Sequence, residues 1–242
     1  MRIAFLSDIH ANFPALCRAL EVAQTHQAER VICAGDIVGE GPHPTEVVRL
    51  LMEQGIPSIR GNVDRKVLAL LENPKKLERR LEKKGQAAAA WAALALGEAE
   101  RAWLASLPGD LRLDLGGAEA WVVHGSPVSD ADYIFPSITA PALARKLGDE
   151  HPRALICGHS HIPFTREIGG VRVVNCGSVG RPVDGDPRGA LALCDVVDQA
   201  KLRCRILRFP YPVEAVMADV QARGARGVEP LDYQTGTKPK AT

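Results

Sequence analysis

Four of the seven histidines lie in three short motifs, Ser-Asp-Ile-His at 7–10, Val-His-Gly-Ser at 123–126 and Gly-His-Ser-His at 158–161, each directly after an apolar run. Two further pieces sit between them: Gly-Asp at 35–36, after Val31-Ile32-Cys33-Ala34, and Gly-Asn-Val-Asp at 61–64, after Ile59-Arg60. Together Asp8, His10, Asp36, Asn62, His124, His159 and His161 supply enough oxygen and nitrogen donors for two divalent ions sharing one bridging carboxylate. Residues i and i+2 of an extended segment project to the same side, so Asp8 can act with His10, and His159 with His161. Each motif alone is weak, because a strand-end Asp is most often a cap and a His-x-His pair most often surface chemistry. Five such motifs, each closing an apolar run, point to a metal site. Mixed imidazole and carboxylate ligation suits Mn²⁺, Fe²⁺, Co²⁺, Ni²⁺ or Zn²⁺ better than Mg²⁺ or Ca²⁺.

The elements that must position these residues are legible as short runs rich in Val, Ile and Leu at 2–6, 31–34, 120–123, 154–157, 171–174, 190–194 and 202–208, bounded by Gly, Pro or Asp; such runs read as buried strands. Phe13, Leu16, Leu20 and Ala23 share one face of a helix opened by Asn12 and Pro14, and Val47, Val48, Leu51 and Met52 do the same after Pro44. The first third is therefore expected as β-α-β-α-β, with parallel strands whose carboxyl ends carry Asp8, Asp36 and Asn62 to one sheet edge. The later strands alternate with short connections and turn signals such as Gly169-Gly170, which reads as a second, more antiparallel layer. Residues 66–107 are rich in Ala, Leu, Lys and Glu, and Pro74, Gly85 and Gly97 divide them into about three helices, read as a cap inserted in the core. The core is expected as one domain over 1–222, and residues 223–242 as a loosely ordered tail.

The order of the motifs resembles the calcineurin-like metallophosphoesterase superfamily, whose pattern runs D-x-H, G-D, G-N-x-[DEH], a lone His after a strand, and G-H-x-H. Residues 7–14, 35–42, 124–127 and 175–187 also resemble the small bacterial and archaeal phosphodiesterase-like branch, and the likeness spans 1–65 and 111–210. It implies an α/β fold, a two-sheet β-sandwich flanked by helices in four layers. It also implies that Asp8, His10, Asp36 and His161 hold a first ion, with Asp36 bridging to a second held by Asn62, His124 and His159. Asp36, Asn62 and His124 would then be catalytic, and the reaction would be in-line attack of a metal-bridging hydroxide on a phosphodiester or phosphoanhydride. Asn12, His43 and Arg181 are candidate substrate contacts. Capping of the helix at 13–24, a place in a Pro-rich turn and a surface salt bridge are their respective alternatives. Asp64 is expected to support a neighbouring ligand or to cap the helix beginning near Arg65. Many members of the superfamily carry His after Gly-Asn as a general acid; here the residue is Val63, a loss of about 10²–10⁴-fold for poor leaving groups, which favours diesters and anhydrides.

Composition narrows the classes. A chain of 242 residues with 46% hydrophobic residues can bury a core, and no stretch reads as a membrane span or a cleavable leader, so a cytoplasmic location is expected. The net charge of +1 exerts no global pull on nucleic acid or membrane. The expected partner is a small phosphorylated substrate, nucleotide-derived compounds included, and homo-oligomerisation is left open. Lys75, Lys76, Arg79, Arg80, Lys83 and Lys84 give the cap a local basic character against Glu78 and Glu82. Six scattered cysteines without a Cys-x-x-Cys pair read as core residues with free thiols. The competing functions are a metal-binding scaffold of the same fold, a phosphomonoesterase and a nuclease. Loss of a ligand would favour the scaffold, and none is missing.

Overall fold

β1 (Arg2–Leu6) and β2 (Arg30–Cys33) pair in parallel because α1 (Phe13–Thr25) crosses between them. This computed structural model describes residues 1–83, 86–117, 119–197 and 201–237. α2 (Pro44–Glu53) follows, but the expected third strand reduces to a bridge, Cys33 opposite Ser58, with Ile59 N–H donating to Cys33 O at 3.0 Å. Four helices then occupy the stretch expected to hold about three: α3 (Asn62–Leu71), α4 (Pro74–Leu81), α5 (Ala88–Ala95) and α6 (Glu98–Ser106). The first of them starts on a candidate ligand, Asn62. Lys84 and Gly85, and residues 238–242 of the expected tail, lie outside the described residues.

β3 (Asp110–Asp114), β4 (Glu119–Val123), α7 (Ala140–Leu147), β5 (Ala154–Cys157), β6 (Phe164–Ile168) and β7 (Val171–Asn175) build a second sheet in the order β3-β4-β5-β7-β6. β8 (Gly189–Val197) and β9 (Lys201–Phe209) complete the first sheet, β2-β1-β8-β9. The sheets face each other through Ile3, Phe5 and Ile32 on one side and Val122, Ile156 and Val174 on the other. The alternate residues Ala4, Leu6, Leu191 and Leu193 pack with α1, α2 and α8 (Val213–Ala222) on the outer face. Val123, Leu155 and Val173 pack with Leu143 and Leu147 of α7 on the far side. Strands buried on both faces lack polar alternation, which is why they appear as unbroken apolar runs. The result is the four-layer α/β/β/α sandwich.

Two expectations are corrected. Beyond residue 222 the described chain is not loose: α9 (Pro230–Thr235) docks through Tyr233, which is buried and whose hydroxyl donates to Glu40 O at 2.7 Å. A helix of 6 residues is too short to show periodicity in the sequence. The cysteines are not all free thiols either. Cys194 and Cys204 stand directly opposite in the β8–β9 register and are joined as a disulfide, while Cys17, Cys33, Cys157 and Cys176 are free. Cross-strand register, not spacing along the chain, brings that pair together.

Candidate metal centre

The carboxyl ends of the strands deliver the ligands to one edge of the sandwich. Asp8 and His10 follow β1, Asp36 follows β2, Asn62 opens α3, His124 follows β4, and His159 and His161 follow β5. The pairs do not converge through extended backbone, as strand geometry had suggested. Among the described residues seven non-glycine residues have positive φ, and five of them are Asp8 (53°), His10 (47°), Asp36 (51°), His159 (62°) and His161 (57°). A left-handed non-glycine residue costs about 1–2 kcal/mol, and such strain persists where surrounding contacts impose it. Here the turns after β1 and β2 brace one another: Asp8, His10 and Ala11 donate their N–H groups to Gly35, Asp36 and Ile37 carbonyls at 3.0, 3.0 and 2.9 Å.

Two groups of donor atoms result, Asp8 with His10 and His161, and Asp36 with His124 and His159. In the first, His161 Nε2 lies 3.1 Å from Asp8 Oδ1 and 3.2 Å from His10 Nε2. His10 Nε2 lies 3.7 Å from Asp36 Oδ2, and His124 Nε2 of the second group lies 3.3 Å from that same oxygen. Asp36 Oδ2 therefore sits between the groups. Its partner oxygen Oδ1 is occupied by the Val63 N–H at 2.8 Å, so the residue that replaces the family's histidine orients the shared carboxylate through its backbone. The inner end of the Asn62 amide lies 3.2 Å from Asp36 Oδ2, 3.1 Å from His159 Nδ1 and 3.1 Å from His124 Nε2, where its NH₂ group can donate, and its outer end meets Lys66 Nζ at 2.9 Å.

The chemistry of these residues fits divalent cations. His124 Nδ1 donates to Ala34 O at 2.8 Å and His161 Nδ1 to Arg181 O at 2.5 Å, which leaves both Nε2 atoms facing the centre. Asp8 Oδ1 and His159 Nε2 are buried without a hydrogen-bond partner. Burial opposes the Asp8 charge, yet the His161, His10 and His124 imidazoles outweigh it and hold that carboxyl well below the usual range. Burial likewise opposes a charge on His124, but Asp36 and Asp8 push it up to about 10. In the metal-free protein a proton thus supplies part of the positive charge that the carboxylates require.

The supporting contacts reach across the fold. Asp64 is fully buried and accepts from Ile37 N and Val38 N, both at 3.0 Å, and from Gly61 N at 2.9 Å, tying the turn after Asp36 to the turn before Asn62. It caps α3 and supports the ligands with the same carboxylate, whose pKa burial and the Asp36 charge raise to about 7. Gly61 and Gly158 allow the close approach of motifs distant in sequence: a Cβ on Gly61 would meet the Asp36 carboxylate, and one on Gly158 would meet Ser7 and Asp8. Three contributors were not singled out from the sequence. Ser7 Oγ donates to Asp8 Oδ2 and Ser178 Oγ to Asp8 O, both at 2.7 Å, and Tyr133 stacks on His159 with ring centroids 4.3 Å apart. Ser7 lies inside a motif and could have been found there; Tyr133 arrives on a loop with no local signal.

The three candidate substrate contacts are engaged internally instead. Asn12 is fully buried, accepts from Ala15 N at 3.1 Å as the α1 cap and donates to Gly180 O at 2.9 Å. His43 is buried against Asp219, Nε2 to Oδ2 2.8 Å. Arg181 is held between Glu40 at 2.5 Å and Asp232 at 2.9 Å. The acidic partners explain why residues able to bind phosphate are spent on docking α8 and α9.

A two-sheet sandwich that gathers this ligand set at one edge is that of a metallophosphoesterase. The profile of the calcineurin-like phosphoesterase superfamily domain matches residues 1–199, and the chain belongs to that superfamily. It is 28% identical over 229 residues to an uncharacterised protein of Methanocaldococcus jannaschii, covering 88% of each chain. It is 27% identical over 198 residues to the phosphodiesterase YfcE of Escherichia coli, covering 77% of this chain and 84% of that one. Among solved structures, a metallophosphoesterase from Sphaerobacter thermophilus aligns with a TM-score of 0.80 at 26% identity, over 98% of this chain and 99% of the other. A hypothetical protein from Pyrococcus horikoshii shares the fold with a TM-score of 0.84 at 24% identity, over 98% and 99% of the two chains. Among the described residues no helix is long and apolar enough to cross a membrane.

Proposed function

We propose that the protein is a dinuclear metal-dependent phosphodiesterase. The observation that supports this reading is the approach of two donor groups, Asp8 with His10 and His161 and Asp36 with His124 and His159, to one another at Asp36 Oδ2. Asp8, His10, Asp36 and His161 would hold one ion, and Asp36, Asn62, His124 and His159 the other. The chemistry supplied there by two bound divalent ions is an acidified water for in-line attack at phosphorus and charge neutralisation on the phosphoryl oxygens. Mn²⁺, Fe²⁺, Co²⁺, Ni²⁺ and Zn²⁺ suit the donors. The chain's own work is to fix these donors before substrate arrives, through the Val63 amide on Asp36, the Asp64 bridge and the Nδ1 bonds of His124 and His161. Val63 offers no proton to a leaving group, so esters whose leaving groups depart unprotonated are preferred. Helices α3 to α6 would cap the core beside the centre, and the intended substrate is a small phosphorylated compound met in the cytoplasm.

The test is hydrolysis by metal-stripped protein resupplied with Mn²⁺, Ni²⁺, Co²⁺ or Zn²⁺, with bis-p-nitrophenyl phosphate as diester and p-nitrophenyl phosphate as monoester. Metal-dependent turnover of the diester, faster than that of the monoester and lost in Asp36→Asn, is expected. Preference for the monoester, or turnover without metal, would contradict the reading.

A further inference from the structure

Beside the centre, α3, α4 and the chain entering α5 line a cavity of about 310 Å³ whose wall carries, among the described residues, four cations, Arg65, Lys66, Lys76 and Arg80, and no carboxylate. Arg65 is balanced by a two-point contact to Asp130, at 2.6 and 2.8 Å. Among the described residues the Arg80 side chain bonds the neutral amide of Gln86, at 2.8 Å. Lys66 and Lys76 have no acidic partner among the described residues. Lys76 and Arg80 are four apart on α4, a like-charge spacing that destabilises a helix until an anion lies between them.

Lys66 joins this cavity to the metal ligands. Asn62 Oδ1 accepts from Lys66 Nζ at 2.9 Å, while the Asn62 NH₂ group faces Asp36, His124 and His159. That neutral amide oxygen gives the Lys66 ammonium a hydrogen bond but no opposite charge, which an anionic oxygen placed against it supplies. The Lys66 ammonium thus links a candidate metal ligand to the cationic cavity.

We propose that this cavity binds a second phosphoryl group of the substrate, so that the natural substrate carries at least two phosphates, one at the centre and another between Lys66, Lys76 and Arg80. The proposal deepens the phosphodiesterase reading and rests on it for the position of the first phosphate, whereas the cavity itself can be tested without any metal. Calorimetric titration of metal-free protein with inorganic tripolyphosphate is expected to show binding that weakens about tenfold or more in Lys76→Ala/Arg80→Ala. Lys75→Ala/Arg79→Ala, which removes the same charge from the same helix but away from the cavity wall, is expected to weaken it by much less. In loaded enzyme, the first pair is expected to raise the KM of a p-nitrophenyl ester of a nucleoside triphosphate about tenfold more than that of bis-p-nitrophenyl phosphate. Equal losses in the two variant pairs would mean diffuse surface charge and would overturn the proposal. So would an unphosphorylated single-stranded oligonucleotide that binds more tightly than tripolyphosphate and depends on the same two residues. If tripolyphosphate binds as expected while no metal supports hydrolysis, the cavity stands and the phosphodiesterase reading falls.

Discussion

Replacing Gly61 by alanine isolates how closely two sequence-distant turns must approach to build the centre. Gly61 has φ −90° and ψ 177°, a conformation alanine adopts without strain, so backbone preference contributes nothing against the substitution. The added Cβ, however, would lie 2.9 Å from Asp36 Cγ, where ordinary contact begins at 3.4 Å, and nearer still to Asp36 Oδ1 and N. The turns must therefore part by at least 0.5 Å at Cγ and by more at Oδ1. That displacement pulls on the Val63 N–H bond to Asp36 at 2.8 Å and on the 3.2 Å approach of the Asn62 amide to Asp36 Oδ2. Overpacking together with one weakened buried hydrogen bond amounts to about 2–4 kcal/mol of stability. Misplaced ligands should cost about 10–100-fold in metal affinity. Urea unfolding of metal-free protein reads the first quantity and Mn²⁺ calorimetry the second. Gly109→Ala, whose Cβ meets nothing within 4 Å, serves as the control. Gly61→Ala with wild-type stability and wild-type Mn²⁺ affinity would refute the argument that the ligand turns are in contact.

Other outcomes follow from the same geometry. Because Asp36 and Asp8 hold His124 up to about 10 in the metal-free protein despite its burial, metal must displace a proton. Affinity should therefore rise with pH, about tenfold per unit for each proton released, and calorimetry in two buffers should detect that proton; a flat profile would sink this reading. By linkage, a raised histidine pKa adds stability to metal-free protein that is complete below pH 6.5 and lost as pH rises through about 10, which urea titrations across that range should show. Tyr133→Ala removes the ring stacked on His159, and Mn²⁺ titration should show the weaker of two sites loosened up to about tenfold while the tighter one is kept. Arg181→Ala removes the ion pairs to Glu40 and Asp232 and should lower the unfolding free energy by about 1–3 kcal/mol with KM for bis-p-nitrophenyl phosphate unmoved; a large KM increase would restore Arg181 as a substrate contact.

The residues that gather into the two donor groups stood out in the sequence because their signals are local: each candidate ligand lies in a short motif after an apolar run, and runs buried on both faces announce themselves. What stayed hidden depends on partners far away in the chain. Asp219 and Asp232, which take up His43 and Arg181, carry no motif, and the cross-strand pairing of Cys194 with Cys204 is a matter of register. β3 and β6 escaped notice because edge strands keep exposed polar residues, as in the half-exposed Phe164–Ile168. Left-handed backbone at five ligands was equally invisible, since residue type at Asp8 or His161 does not disclose φ.

The central claim, two ions sharing Asp36, is tested most directly by counting metal. Protein loaded with Mn²⁺, desalted and analysed for elemental manganese should carry about two ions per chain in the wild type and no more than about one in Asp36→Asn. A single ion in the wild type, or two retained by the variant, would contradict the account.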